Sequence, residues 1–251
     1  MRIGMRIDVL GVGFDDIAFQ EAVKHAVEII GRGEKTYVVT PNPEIVWIAR
    51  RDEALRTVIN SAGMILPDGI GIILGARIRG TPLRKGRVPG IDFASALFGE
   101  MAEFGGSIFL LGAKPGVAET AGQRLGEKYP GLIIAGSCNG YFTESAHVVD
   151  LINSAKPDVV LVCLGSPKQE LWIADNIGAL NAKLCVGLGG SLDVFAGKAK
   201  RAPVFFRKLG LEWLYRLFRE PRRIKRMIKL PIFVFAVILQ ALRGQGSRKR
   251  E

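Results

Sequence analysis

Short apolar runs alternate with helical patterns through most of this chain, at a spacing that leaves few folds open. Residues 7–11, 37–40, 64–66, 107–111, 132–135, 159–164 and 184–188 read as seven strands. Between them lie helical stretches. One holds Ile17, Ala22, Val23, Ala26, Val27 and Ile30 on one face, with Asp15 or Asp16 placed to cap it. Another starts at Pro43, and others span 91–104, 117–129 and 145–154. This alternation predicts an α/β fold: a mainly parallel, Rossmann-like sheet covered by helices. The chain has 251 residues, enough for one such domain and an appendage. A hydrophobic share of 48% excludes a disordered chain.

Pattern and charge change together near Gly197. Residues 198–251 carry sixteen Lys/Arg against three Asp/Glu, a net charge of +13, whereas residues 1–197 have a net charge of −2. The division expected is an α/β catalytic core at 1–197 and a basic amphipathic helical tail at 198–251. Leu211, Leu214, Tyr215, Leu217 and Phe218 recur at helical spacing among arginines, and Pro221 and Pro231 are expected to break the tail into two or three short helices. The apolar run 230–242 is short of the roughly 20 residues a membrane span needs. Basic amphipathic helices of this kind suit an anionic bilayer surface. Nucleic acid is not expected as the partner, since the tail has no recognisable nucleic-acid motif. Met1 to Arg6 lacks the apolar stretch of a signal peptide. Cys138, Cys163 and Cys185 are too few and too scattered for a disulfide framework or a zinc site, and read as reduced thiols in a cytoplasmic protein.

Ligands of open α/β sheets sit beyond the carboxyl ends of the strands. The residues there are Gly11-Val12-Gly13, Thr40-Pro41-Asn42, Pro67-Asp68-Gly69, Gly112 to Gly116, Gly165 to Glu170 and Gly189 to Asp193. Gly11-Val12-Gly13 lacks the third glycine of a dinucleotide fingerprint. Asp68, between Pro and Gly after an apolar strand, reads equally as an acid–base group and as the cap of a helix starting near Ile70. His25 and His147 fall on helical stretches, so neither a zinc site nor a Ser/His/Asp triad is assembled.

Taken together these loops carry a resemblance. Thr40-Pro41-Asn42, Pro67-Asp68-Gly69, Arg87 to Asp92, Gly165 to Glu170, Asp193 to Ala196 with Arg201-Ala202-Pro203, and Gly210 to Leu217 with Glu220 to Arg223 resemble, in that order, the WecG/TagA/CpsF family of bacterial glycosyltransferases. Ser166 stands where bulkier residues are usual. The resemblance implies inverting, metal-independent transfer of an N-acetylated amino sugar from a UDP-sugar donor to a sugar on undecaprenyl diphosphate, with no cofactor. In the wall teichoic acid branch the donor is UDP-N-acetylmannosamine and the acceptor sugar N-acetylglucosamine. Other branches use glucose or N-acetylmannosaminuronic acid. It implies Asp68 as the catalytic base beside Thr40 and Gln169, Asn42 in the sugar pocket, and Arg87 with the tail arginines Arg216, Arg222 and Arg223 at diphosphate. The strand-end loops add Gly112, Lys168, Glu170 and Asp193 as substrate contacts. The place implied is peripheral, on the cytoplasmic face of the cell membrane, with room for a homo-oligomer. From another class, a non-catalytic nucleotide- or nucleic-acid-binding protein could use the same sheet edge.

Overall fold

A computed structural model of the protein describes residues 5–219 and 229–248. The chain opens with β1 (Arg6–Val9) and β2 (Val12–Asp15), an antiparallel hairpin in a two-stranded sheet of its own. This corrects the expectation that the first strand leads into a ligand loop. Leu10 and Gly11 have φ of 55° and 89°, and two left-handed residues in a two-residue turn send the chain straight back. Gly11-Val12-Gly13 therefore lies outside the parallel sheet. Asp15 and Asp16 do not cap the first helix, α1 (Phe19–Arg32). Asp15 is buried, accepting from Arg6 Nε at 3.0 Å and from the Ile65 amide at 2.7 Å. Asp16 accepts from the Lys85 amide at 2.9 Å, and Glu21 accepts from the Ala18 amide at the helix start.

The main sheet has six parallel strands in the order β4-β3-β8-β7-β5-β6. These are β3 (Thr36–Val39), β4 (Met64–Ile65), β5 (Ser107–Gly112), β6 (Ile133–Cys138), β7 (Val159–Cys163) and β8 (Leu184–Gly187). Successive side chains of the central strands enter opposite cores. Tyr37, Val39, Val160, Val162 and Cys185 join one, while Val38, Leu110, Leu161 and Val186 join the other. A strand buried on both faces reads as a continuous apolar run, which is why these segments were legible.

The first core is covered by α2 (Pro43–Ala49), α3 (Glu53–Ser61), α4 (Ile70–Ile78), α7 (Ser145–Ala155) and α8 (Lys168–Asn176). On the second face lie α1, α5 (Gly90–Glu103), α6 (Val117–Lys128) and the single turn α9 (Ser191–Phe195). The thiols of Cys163 and Cys185 are free and buried, and burial pushes each up to about 12.

After α9 the chain forms α10 (Val204–Lys208), α11 (Glu212–Arg219) and a long helix, α12 (Lys229–Arg248). Pro231 does not break this helix. It is the third described residue of the helix, which runs on through it. Pro221 lies outside the described residues. α12 packs against α2 and α4, burying Phe233, Ala236 and Val237 in the first core. Gln240 Oε1 accepts from the Leu10 amide at 3.2 Å, so α12 also covers the hairpin turn. Its other side exposes Ile232, Phe235, Ile238, Leu239 and Leu242. Among the described residues no helix is long and apolar enough to cross a membrane.

Candidate active site

A cavity of about 760 Å³ opens over the carboxyl ends of β4, β3, β8 and β7. Thr40, Asn42, Asp68, Arg87, Gln169 and Asp193 all line it. They come from five separate segments, Thr40 and Asn42 sharing one, so the sheet edge gathers what the sequence scatters.

Thr40 directly follows β3, and its hydroxyl donates to the Gly187 carbonyl at 3.4 Å. Asn42 caps α2, its Oδ1 accepting from the amides of Glu44 (2.9 Å) and Ile45 (3.1 Å). That leaves the Asn42 amide NH2 as its ligand-binding end. Asp68 does not cap the helix at Ile70: Gly69 holds that position without a side-chain cap. Instead Asp68 Oδ2 accepts from the Gly90 amide, the first residue of α5, at 3.3 Å. The 14-residue α5 thus points its positive end at this carboxylate. Gly90 allows the close approach, since a Cβ there would stand 2.6 Å from Leu188 Cδ2 and 2.8 Å from Thr40 Oγ1.

Gln169 forms the floor. Its Oε1 accepts from the Gly189 amide at 2.8 Å, and its Nε2 donates to Glu170 Oε1 at 2.8 Å. Glu170 is buried behind Gln169 and does not line the cavity. Burial pushes the Glu170 carboxyl up, against the lowering effect of the Gln169 hydrogen bond. Two further expected contacts also lie off the cavity. Lys168 Nζ donates to the Gly140 carbonyl at 3.1 Å and sits 4.8 Å over the Phe142 ring. Gly112, with φ 132°, lies against the Cys163 backbone, where a Cβ would overlap the carbonyl. It serves the β5–β7 contact. Arg216 lies on α11, and Arg222 and Arg223 lie outside the described residues. Of the two histidines, His147 is exposed and His25 stands 3.6 Å from Glu28; neither lines the cavity.

The tail forms one wall. Lys198, Lys200, Trp213, Tyr215 and Lys229 line the cavity, none of them among the substrate contacts expected from the sequence. The two early lysines could be counted only as tail charge, because their place depends on how the chain turns after α9. There the Asp193 carbonyl accepts from the amides of Lys198 (2.8 Å) and Ala199 (2.9 Å). An ionic cluster anchors the wall to the start of α5. Arg201 grips the Asp92 carboxylate with both terminal nitrogens and stands 3.7 Å from Glu212, and Arg207 stands 3.9 Å from Asp92. Burial alone would raise Asp92. The Arg201 hydrogen bond and the charges of Arg201, Arg207 and Arg87 outweigh it and hold the carboxyl below its ordinary value. Arg87 also donates to the Arg207 carbonyl, a contact that leaves most of its five N–H groups for other partners.

A cavity at the carboxyl edge of an open parallel sheet is where α/β proteins hold their ligands, and Arg87, Lys198, Lys200 and Lys229 in its lining suit an anionic one. The description "Glycosyl transferase WecG/TagA/CpsF family" fits a family model that matches residues 7–247. The chain belongs to this family of glycosyltransferases. It is 39% identical over 210 residues to a Bacillus spizizenii (strain W23) protein, covering 83% of this chain and 81% of that one. It is 37% identical over 235 residues to a Staphylococcus aureus (strain MRSA252) protein, covering 92% of each. Both relatives are named N-acetylglucosaminyldiphosphoundecaprenol N-acetyl-beta-D-mannosaminyltransferase.

Proposed function

We propose that this enzyme moves N-acetylmannosamine from UDP-N-acetylmannosamine to N-acetylglucosamine on undecaprenyl diphosphate, forming a β-1,4 linkage in wall teichoic acid linkage-unit synthesis. The observation that carries this reading is the convergence of Thr40, Asn42, Asp68, Arg87, Gln169 and Asp193 on one cavity. The names of the relatives supply the sugars.

A β product from an α-linked nucleotide sugar requires inversion. The acceptor hydroxyl attacks C1 from the face opposite the leaving group, the C1–O bond to UDP breaks, and the hydroxyl proton passes to a base. Asp68 takes that proton: one carboxylate suffices for a single displacement. Thr40, Asn42 and Gln169 hold the donor sugar. Departing UDP gains negative charge, which Arg87, Lys198, Lys200 and the tail arginines meet without a metal, arginine through its bidentate fork.

Residues 1–197 form the catalytic core in this reading, and 198–251 complete the site while holding it against the cytoplasmic face of the membrane. Support comes from α12, whose exposed Ile232, Phe235, Ile238, Leu239 and Leu242 lie on the helix that brings Lys229 to the cavity. Cationic residues near an anionic bilayer add about 1 kcal/mol each.

The test incubates the full-length protein with an N-acetylglucosamine-diphosphate lipid analogue and a panel of UDP-sugars, with and without EDTA, and identifies the product by mass. The expected product gains one N-acetylhexosamine, from UDP-N-acetylmannosamine alone, and EDTA leaves the rate unchanged. Transfer from UDP-glucose instead would reassign the donor, and no transfer from any sugar would remove the reading.

A further inference from the structure

Gln169 and Glu170 are adjacent in sequence, 3% and 2% exposed, and joined through their side chains by a 2.8 Å hydrogen bond. An amide side chain has two ends of opposite character and nearly equal shape. Which end faces where is set by its partners. The Gly189 amide can only donate, so it holds Gln169 Oε1. The Glu170 carboxylate oxygen Oε1 accepts, so it holds Nε2. The side chain lies across the end of β8, where a Cβ on Gly187 would stand 3.1 Å from Gln169 Nε2. With both anchors in place, one N–H and one oxygen lone pair of fixed sense remain for a ligand.

Glu170 is a costly way to fill this space. Its Oε2 is buried without a well-formed hydrogen bond among the described residues, and burial pushes the carboxyl up against the lowering effect of the Gln169 and Ser166 side chains. A glutamine would fit the same volume without that penalty, but it could present either end to Gln169, so that the Gly189 amide alone would hold the sense of the Gln169 side chain.

We propose that Glu170 is a positioning residue: it never touches substrate, and it fixes the orientation of the Gln169 amide, so that the cavity floor offers the donor sugar one set arrangement of donor and acceptor. The selection of donor sugar rests on Proposed function; the fixing of the amide does not.

Two measurements on full-length protein separate these parts. The first needs no substrate. Hydrogen exchange at the Gly189 amide, read by NMR in wild type and Glu170→Gln, reports whether Gln169 Oε1 still holds that group. Protection at Gly189 should fall about tenfold, while core amides of β7 and β8 keep theirs. Unchanged protection at Gly189 overturns the proposal whatever the enzyme transfers, and a loss spread over the core means a merely structural role.

The second is a double-mutant cycle on transfer. Glu170→Gln should lower kcat/KM about tenfold and narrow the preference between the best UDP-sugar and its competitors. In a Gln169→Ala background the same substitution should change kcat/KM less than about twofold. Equal losses in both backgrounds would show that Glu170 acts independently of Gln169 and overturn the assignment. A wild-type enzyme that transfers no UDP-sugar would sink the proposed reaction and the donor-selection part with it, leaving the exchange result to decide the positioning.

Discussion

Asp68 takes the Gly90 amide at the head of α5 and lines the cavity. Accepting from the Gly90 amide is compatible with the base role proposed for Asp68. Asp68→Asn keeps the shape and still accepts from Gly90, but cannot take a proton. UDP affinity, measured by calorimetry, should stay within about twofold while transfer falls by about 10²–10⁴; undiminished transfer removes Asp68 as the base. Gly90→Ala tests the packing beneath it. The added methyl meets Leu188 and Thr40 at less than 3 Å, so stability should drop by about 1–3 kcal/mol in chemical denaturation. Asp68 was legible because local signals frame it: an apolar strand before it, Pro and Gly on either side. Its capping partner was not, since Gly90 lies 22 positions away and only the sheet edge brings the two together. Lys198 and Lys200 were illegible for the same reason.

At the level of elements, uniformly buried strands were read almost to the residue, and α5, α6 and α7 came within a residue or two. The hairpin was missed because Val12-Gly13-Phe14-Asp15 looks like a loop unless Leu10-Gly11 is known to be a reversing turn. α12 poses the opposite difficulty. Its run 230–242 is apolar on all sides, so sequence gives no clue that Phe233 is fully buried while Phe235 is 62% exposed. That difference predicts a division of labour. Phe233→Ala should cost about 3–5 kcal/mol of stability, measured by denaturant titration. Phe235→Glu should leave stability nearly unchanged and weaken flotation with anionic vesicles severalfold, by lost apolar burial and added repulsion. Equal vesicle binding by Phe235→Glu and wild type would remove this face of α12 as the bilayer contact.

Across the whole molecule, the slightly acidic body and the +13 tail meet where Asp92 receives Arg201 and Arg207. The folded protein holds Asp92 below its ordinary value of 3.8, so the unfolded chain binds the proton more tightly. The stability Asp92 contributes is therefore complete above pH 3.8 and is lost as pH falls through the lower folded-state value. Asp158, lowered against its own burial by Lys183 and Ser107, shares that sign, whereas Asp15 and Glu170, raised by burial, have the opposite one. Asp92→Asn should thus lower the melting temperature at neutral pH and shrink its fall on acidification. A parallel fall in both proteins would show that the pair adds no net stability.

The contact between Gln240 and the Leu10 amide spans 230 positions. Closing so wide a loop is slow, and its cost is recovered only when both ends are present. A chain emerging from the ribosome can build its strands and helices in order, yet it has to reach α12 before the hairpin is covered and Lys229 arrives at the cavity. Assembly of the cavity therefore waits until α12 has been made, and a nascent chain without it holds a sheet edge whose cavity lacks part of its wall.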